Sequence, residues 1–242
     1  MTRPARLDVV VPAHDEEDAI APCLLAIADA VRTLGRAHPD VEVAVTIVLD
    51  GCTDRTAAVL RAAATADPLW GTVRLAVIET ERLGVGRARA VGTAAALADG
   101  PVPSERWLAH TDADSRVDRG WLVQQVEAHD AGAHVLVGAV VPDPDDLEPV
   151  VLARWEQAHP PGSTLGHVHG ANLGVRGDVS LALGGFDPVP EHEDVRLVER
   201  ARALGFDVRA TTELPVVTSG RFDGRTPGGY AEHLRRTYGD AS

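Results

Sequence analysis

Trp107-Leu108-Ala109-His110-Thr111-Asp112-Ala113-Asp114-Ser115 is a short apolar run that ends in two aspartates one residue apart. Successive residues of an extended strand point to opposite faces, so Asp112 and Asp114 would point the same way and could share one divalent cation. Carboxylate oxygens suit hard ions such as Mg²⁺ or Mn²⁺, which combine one or two protein carboxylates with phosphate oxygens of a substrate. A polar loop before a helix can also contain D-x-D, so the pair needs support from the rest of the chain.

Further chemistry-bearing residues lie downstream. Glu193-Asp194 precedes a helical stretch and is a candidate acid–base pair, although acidic residues there also serve as helix caps. His167 and His169 flank Gly170 and would share a face on a strand, but two histidines alone do not close a transition-metal site. In Gly170-Ala171-Asn172, a wall for substrate, Asn172 can contact a ligand or bond its own backbone in a turn. The segment Thr218-Ser219-Gly220-Arg221-Phe222-Asp223-Gly224-Arg225 has glycine hinges and two arginines. It could close as a lid over a ligand, the alternative being a disordered tail.

The elements that must position these groups follow from periodicity. Leu7–Pro12, Val43–Leu49, Val73–Ile78 and Trp107–Thr111 read as buried strands. Helices are expected over 19–34, from Thr56 to about Ala66 and from Gly84 to Ala98, the first with Ile20, Leu24, Ile27, Val31 and Leu34 at helical spacing. Glu16, Glu17 and Asp18 suit that helix's N-terminus electrostatically. Strand–helix alternation predicts an α/β fold with a mostly parallel central sheet flanked by helices. After Asp118 the pattern gives a helix from Trp121 to Ala131, a strand over 135–141, a helical stretch to about Gln157, a strand at His167–Val175, a helix from Val195 to Leu204, short strands near Val208 and Val216, and a terminal helix at Tyr230–Tyr238. A single domain is expected over 1–242, with the pattern changing after Asp118 and a C-terminal loop and tail (218–242).

Composition excludes several classes. The 242-residue chain carries a formal charge of −13, which argues against a nucleic-acid partner. It contains no lysine, so a Walker loop is impossible, and its arginine and alanine enrichment looks like the composition of a GC-rich genome. Gly84-Val85-Gly86 lacks the third glycine of a dinucleotide fingerprint and follows the wrong strand. No apolar run approaches membrane-spanning length. Without a signal-peptide pattern, and with only Cys23 and Cys52, read as small packed residues, a cytoplasmic location is expected.

Seven pieces in order resemble the family 2 glycosyltransferases: Val11-Pro12-Ala13-His14-Asp15-Glu16-Glu17, Leu49-Asp50-Gly51-Cys52-Thr53-Asp54, Gly86-Arg87-Ala88-Arg89, Thr111-Asp112-Ala113-Asp114, Gly170-Ala171-Asn172, Gly184-Gly185-Phe186-Asp187 and Glu193-Asp194. The resemblance implies a GT-A Rossmann-like fold and an inverting, metal-assisted, single transfer from a nucleotide sugar, a UDP-sugar first, to a hydroxyl on a small-molecule or carrier-linked acceptor. It implies that 1–118 is a nucleotide-binding half and 119–217 a smaller acceptor-side, catalytic half, with nucleotide contacts from Pro12, Ala13, Asp15, Glu17, Asp50, Arg87, Arg89 and Asp112. If the C-terminal segment closes as a lid, Arg221 would contact the donor's diphosphate. Asp114 would hold Mg²⁺ or Mn²⁺ with help from Asp112, Gly170 and Asn172 would meet substrate, and Asp194 would be the base with Glu193 orienting the acceptor or replacing it. His14-Asp15 stands where the family usually has an aromatic residue and Asn. A nucleotidyltransferase lacks its lysine-containing signature here, and a D-x-D phosphatase would carry the motif on its first strand. A non-catalytic nucleotide-sugar binder has no need for both Asp114 and Asp194.

Overall fold

Strand β1 (Arg6–Ala13) is buried along its whole length, and its two faces meet different partners. Val9 and Val11 pack with Ile20, Leu24 and Ile27 of helix α1 (Ile20–Ala37), while Val10 meets Gly92 of helix α3 (Val85–Leu97). A strand covered on both faces has no polar side to alternate with, which is why its sequence is an unbroken apolar run from Val9 to Ala13. Strands β2 (Glu42–Asp50) and β4 (Arg106–His110) flank β1 in parallel, and β3 (Arg74–Thr80) adds to β2. Helix α2 (Thr56–Ala66) joins β2 to β3 and packs beside α1. The structure is a computed structural model that describes residues 3–222, 224 and 230–239.

The second half completes one eight-stranded sheet in the order β3-β2-β1-β4-β7-β6-β8-β5. Its strands are β5 (Ser115–Arg116), β6 (Val135–Pro142), β7 (Leu173–Arg176) and β8 (Val208–Thr218). β6 and β8 are parallel, whereas β7 runs antiparallel to both β4 and β6. Helix α4 (Trp121–Asp130) packs on the α1 side, and α6 (Gly177–Ala182) and α7 (Glu193–Ala203) cover the opposite face near β6 and β7. A smaller cluster joins α5 (Pro149–Ala158) to α8 (Tyr230–Tyr238) through Trp155, Leu234 and Tyr238.

Three expectations need correction. The stretch 167–175 is not one strand: a 3₁₀ turn at Gly170–Asn172 precedes the short β7, so His167 and His169 are not alternate residues of a strand. Val208 and Val216 belong to one strand whose pairing with β6 shifts between Gly138 and Val140. Glu193 and Asp194 lie inside the first turn of α7, and the residue before it, His192, has φ 60°.

Candidate active site

Because β1, β2 and β4 are parallel, their carboxyl ends deliver three loops to one edge of the sheet, the usual ligand side of an open α/β fold. A cavity of about 990 Å³ lies there, lined by Pro12, Ala13, Asp50, Arg89, Asp112, Asp114, Gly170, Glu193, Asp194 and Arg221 among the expected residues. Asp112 and Asp114 share the cavity, although not by strand alternation. β4 ends at His110, and a turn closed by the Ser115 N–H donating to the Asp112 carbonyl (3.1 Å) carries both carboxylates.

Glu16, which the sequence reading assigned to helix electrostatics, is buried at the same spot. Arg221 donates to both its oxygens, NH1 to Oε2 at 2.8 Å and NH2 to Oε1 at 2.6 Å, and reaches Asp114 Oδ2 at 3.0 Å. Burial first, then the charges on Asp112 and Glu16, push the Asp114 carboxyl up to about 7, with Arg221 opposing them. An all-oxygen set that gathers more negative charge than its guanidinium partner offsets fits a hard divalent cation. Glu16 escaped the reading because its partner lies 205 positions away.

Arg89 is buried in the wall and acts as a clamp. Its guanidinium donates to Glu193 Oε1 (3.0 Å), to the Gly170 carbonyl (3.0 Å) and to Asp112. Its donors thus serve three protein acceptors, which differs from the expected direct phosphate contact. Glu193 is buried, and desolvation raises its carboxyl against the lowering effect of Arg89. Asp194 accepts from the Gly170 N–H at 2.6 Å through Oδ2 and from the Val195 N–H at 2.7 Å through Oδ1. Asp50 accepts from the Leu83 and Gly84 N–H groups at 2.5 and 2.9 Å and so holds the turn that starts α3.

Four expected residues are placed elsewhere. Arg87 is exposed on the far side of α3 from the cavity-lining Arg89. Glu17 accepts from the Arg55 N–H and Nε, and Asp15 accepts from the Thr53 and Asp54 N–H groups. Asn172 is fully buried: its Oδ1 accepts from Trp121 Nε1 and its Nδ2 donates to the Ala139 carbonyl, both at 2.9 Å, so it is a core bracket. Asp223 and Arg225 of the C-terminal segment lie outside the described residues. Aromatic and imidazole rings also line the cavity: Trp155 stacks on His159, four residues on, with centroids 4.4 Å apart, and Tyr230 lies edge-on to His169, one of the two histidines weighed above, at 5.9 Å. The first pair is local, whereas the fold brings Tyr230 to His169.

Residues 8–179 match the family described as Glycosyl transferase family 2. The chain belongs to that family. Solved structures agree in fold. A mannosyltransferase from Pyrobaculum calidifontis, solved with GDP-Man and Mn²⁺, superposes with a TM-score of 0.65 at 21% identity, covering 97% of this chain and 69% of that one. TarS 1–349 of S. aureus gives 0.62 at 14% identity over 89% of this chain and 60% of that one. Glucosyl-3-phosphoglycerate synthase from Mycobacterium tuberculosis, solved with Mn²⁺, UDP and glucosyl-3-phosphoglycerate, gives 0.60 at 17% identity over 95% and 77%. A comparison with curated proteins found no match. The chain thus has the GT-A fold, and its family is one of glycosyl transferases. Among the described residues no helix is long and apolar enough to cross a membrane.

Proposed function

We propose that this chain moves a sugar from a nucleoside-diphosphate donor to a hydroxyl acceptor, with inversion and with a divalent ion held by Asp114 and Asp112. The observation that carries the reading is the convergence of Asp112, Asp114, Glu16 and Arg221 at the carboxyl edge of the sheet, in one cavity with Asp194. Mn²⁺ accompanies a nucleotide or nucleotide sugar in two of the similar structures, which supports the choice of ion.

The chemistry asked of the residues is specific. A bound Mg²⁺ or Mn²⁺ would act as a Lewis acid on the diphosphate as negative charge gathers there. Pro12, Ala13 and Asp50 form the nucleoside end of the cavity. Asp194, oriented by the Gly170 N–H, accepts the acceptor's proton as its oxygen attacks the anomeric carbon, a contribution of about 10²–10⁴-fold for a positioned base. One base and one direct displacement invert the anomeric centre, unlike the covalent two-carboxylate route. Arg89 holds Glu193, Gly170 and Asp112 in register, so it serves catalysis by positioning. With those carboxylates committed to an ion, Arg221 would be free to bind the diphosphate.

The test is a thermal-shift and calorimetric screen of UDP, GDP, TDP, CDP and ADP with and without Mn²⁺ or Mg²⁺. A ligand confined to the folded state stabilises it by about 2.7 kcal/mol at a hundred times its dissociation constant. A metal-dependent shift with one nucleotide, lost in Asp114→Ala, is expected, and Asp194→Asn should then bind donor without turnover. No shift with any nucleotide overturns the reading, and an active Asn variant removes Asp194 as the base.

A further inference from the structure

His14, Asp15 and Cys52 do not take part in the transfer chemistry above. They lie on the loops that follow β1 and β2, brought side by side by the pairing of Ala13 with Leu49. One ligand atom from each, imidazole nitrogen, carboxylate oxygen and thiol sulfur, falls within 4.8 Å of the other two. We propose that these three residues form a second metal site, for a borderline divalent ion such as Zn²⁺, separate from the all-oxygen set around Asp114.

Three observations support it. The His14 Nδ1 lies 2.6 Å from the Asp50 carbonyl, an acceptor only, so Nδ1 carries the proton and Nε2 is left with its lone pair. A carbonyl on the far nitrogen is the arrangement that orients metal-bound histidines. That Nε2 faces Asp15 Oδ2 at 3.4 Å, beside the Thr53 hydroxyl that donates to the same oxygen at 3.2 Å, so either a proton or a metal ion on Nε2 would satisfy the contact. The sulfur of Cys52 on the third side makes it a mixed nitrogen, oxygen and sulfur set, which suits zinc and not magnesium.

The set is also held in place beforehand. Asp15, at φ 51°, has Oδ1 tied to the Thr53 and Asp54 N–H groups at 2.7 and 3.2 Å. Cys52 follows Gly51, at φ 60°, where an added Cβ would collide with the Arg82 backbone nitrogen at 2.7 Å. All three ligand residues are half-buried, which leaves the site reachable from solvent and a fourth position open. The Cys52 thiol donates to the Ala13 carbonyl at 3.4 Å, and metal binding must expel that proton. His14 also lines the nucleoside end of the main cavity, so an ion that fixes its ring toward Asp15 and Cys52 should weaken nucleotide binding. That coupling alone rests on the donor-site reading.

The experiment is a titration of the full chain with Co²⁺, without nucleotide. One equivalent should produce a thiolate-to-cobalt charge-transfer band that Zn²⁺ abolishes. The band should be lost in Cys52→Ser and His14→Ala and kept in Cys23→Ser and Asp114→Asn. A wild-type chain without the band, or a band that survives Cys52→Ser, overturns the site. If Cys52→Ser does not fold, alkylation of the wild-type chain decides: Zn²⁺ should protect Cys52 at least tenfold, with buried Cys23 as internal reference, and equal alkylation with and without Zn²⁺ rejects the proposal. Neither readout needs turnover or a nucleotide, so failure here is distinct from failure of the glycosyl-transfer reading.

Discussion

Arg89 and Arg221 are the same residue type lining the same cavity, and their environments give them opposite uses. Arg89 is 2% exposed and committed to Glu193, Gly170 and Asp112. Removing one partner of a buried ion pair costs about 3–5 kcal/mol because the other charge is stranded. Arg89→Met should therefore lower stability by that order in urea denaturation, and Arg89→Lys should rescue only part, since a point charge cannot span three acceptors. Arg221 is more exposed, and among the described residues its guanidinium pairs with Glu16 and Asp114, carboxylates that a cation could claim. Arg221→Ala should raise the affinity of the nucleotide-free chain for Mn²⁺ and lower nucleoside-diphosphate affinity about tenfold or more, the scale of a charged hydrogen bond, both by calorimetry. The sequence exposed the types but not this division. Asp112, Asp114 and Asp194 were legible because each sits in a short local pattern. Glu16 and the clamp role of Arg89 were not, because each is defined by partners distant in the chain.

At the scale of elements, α3 is the part that aligns the two sides of the cavity. A Cβ at Gly86 would lie 2.5 Å from the Asp187 carbonyl and 2.9 Å from that of Val189, so the helix start docks on the backbone that leads into α7. A Cβ at Gly92 would likewise lie 2.6 Å from Val10 and 3.0 Å from Val48. Gly86→Ala should cost about 1–3 kcal/mol as overpacking does and weaken donor binding by shifting Arg89 from Glu193. The opposite sign is expected at Gly35, an exposed position in α1 where an added Cβ meets nothing within 4 Å. Gly35→Ala should stabilise by about 0.5–1 kcal/mol, so paired denaturation curves separate helix propensity from packing. The first four strands were readable because both faces of each central strand are apolar and turn residues bound them. The second half was harder. β7 has four residues, β5 has two and β8 bends where its register shifts, so none shows a sustained period.

For the whole molecule, the two ends of the sheet keep their charges apart. The carboxyl edge holds the cavity acids. At the other end Asp8 accepts from Arg6 Nε (3.0 Å) and from Arg106 Nε and NH2 (3.0 and 2.7 Å), a buried network that explains a carboxylate inside the otherwise apolar stretch 7–13. Helix α4 buries His129 edge-on to Trp107, centroids 5.7 Å apart; among the described residues neither ring nitrogen has a hydrogen-bond partner within 3.5 Å, the Asp130 carboxylate lying 3.7 Å from Nδ1. Burial lowers its pKa below the ordinary 6.5; Asp130 and Asp178 pull it up, and Arg176 adds to the lowering. The folded chain therefore binds this proton less readily than the unfolded chain does. Its full stability is present above pH 6.5 and is lost as pH falls below that value, until the folded-state pKa is reached, with a slope of at most about 1.4 kcal/mol per pH unit. His129→Leu keeps the contact with Trp107 and removes the proton. Urea midpoints between pH 7.5 and 5 should fall less steeply in the variant than in the wild type. Parallel lines for the two proteins would mean that His129 is protonated equally in both states and that the acid sensitivity comes from other groups.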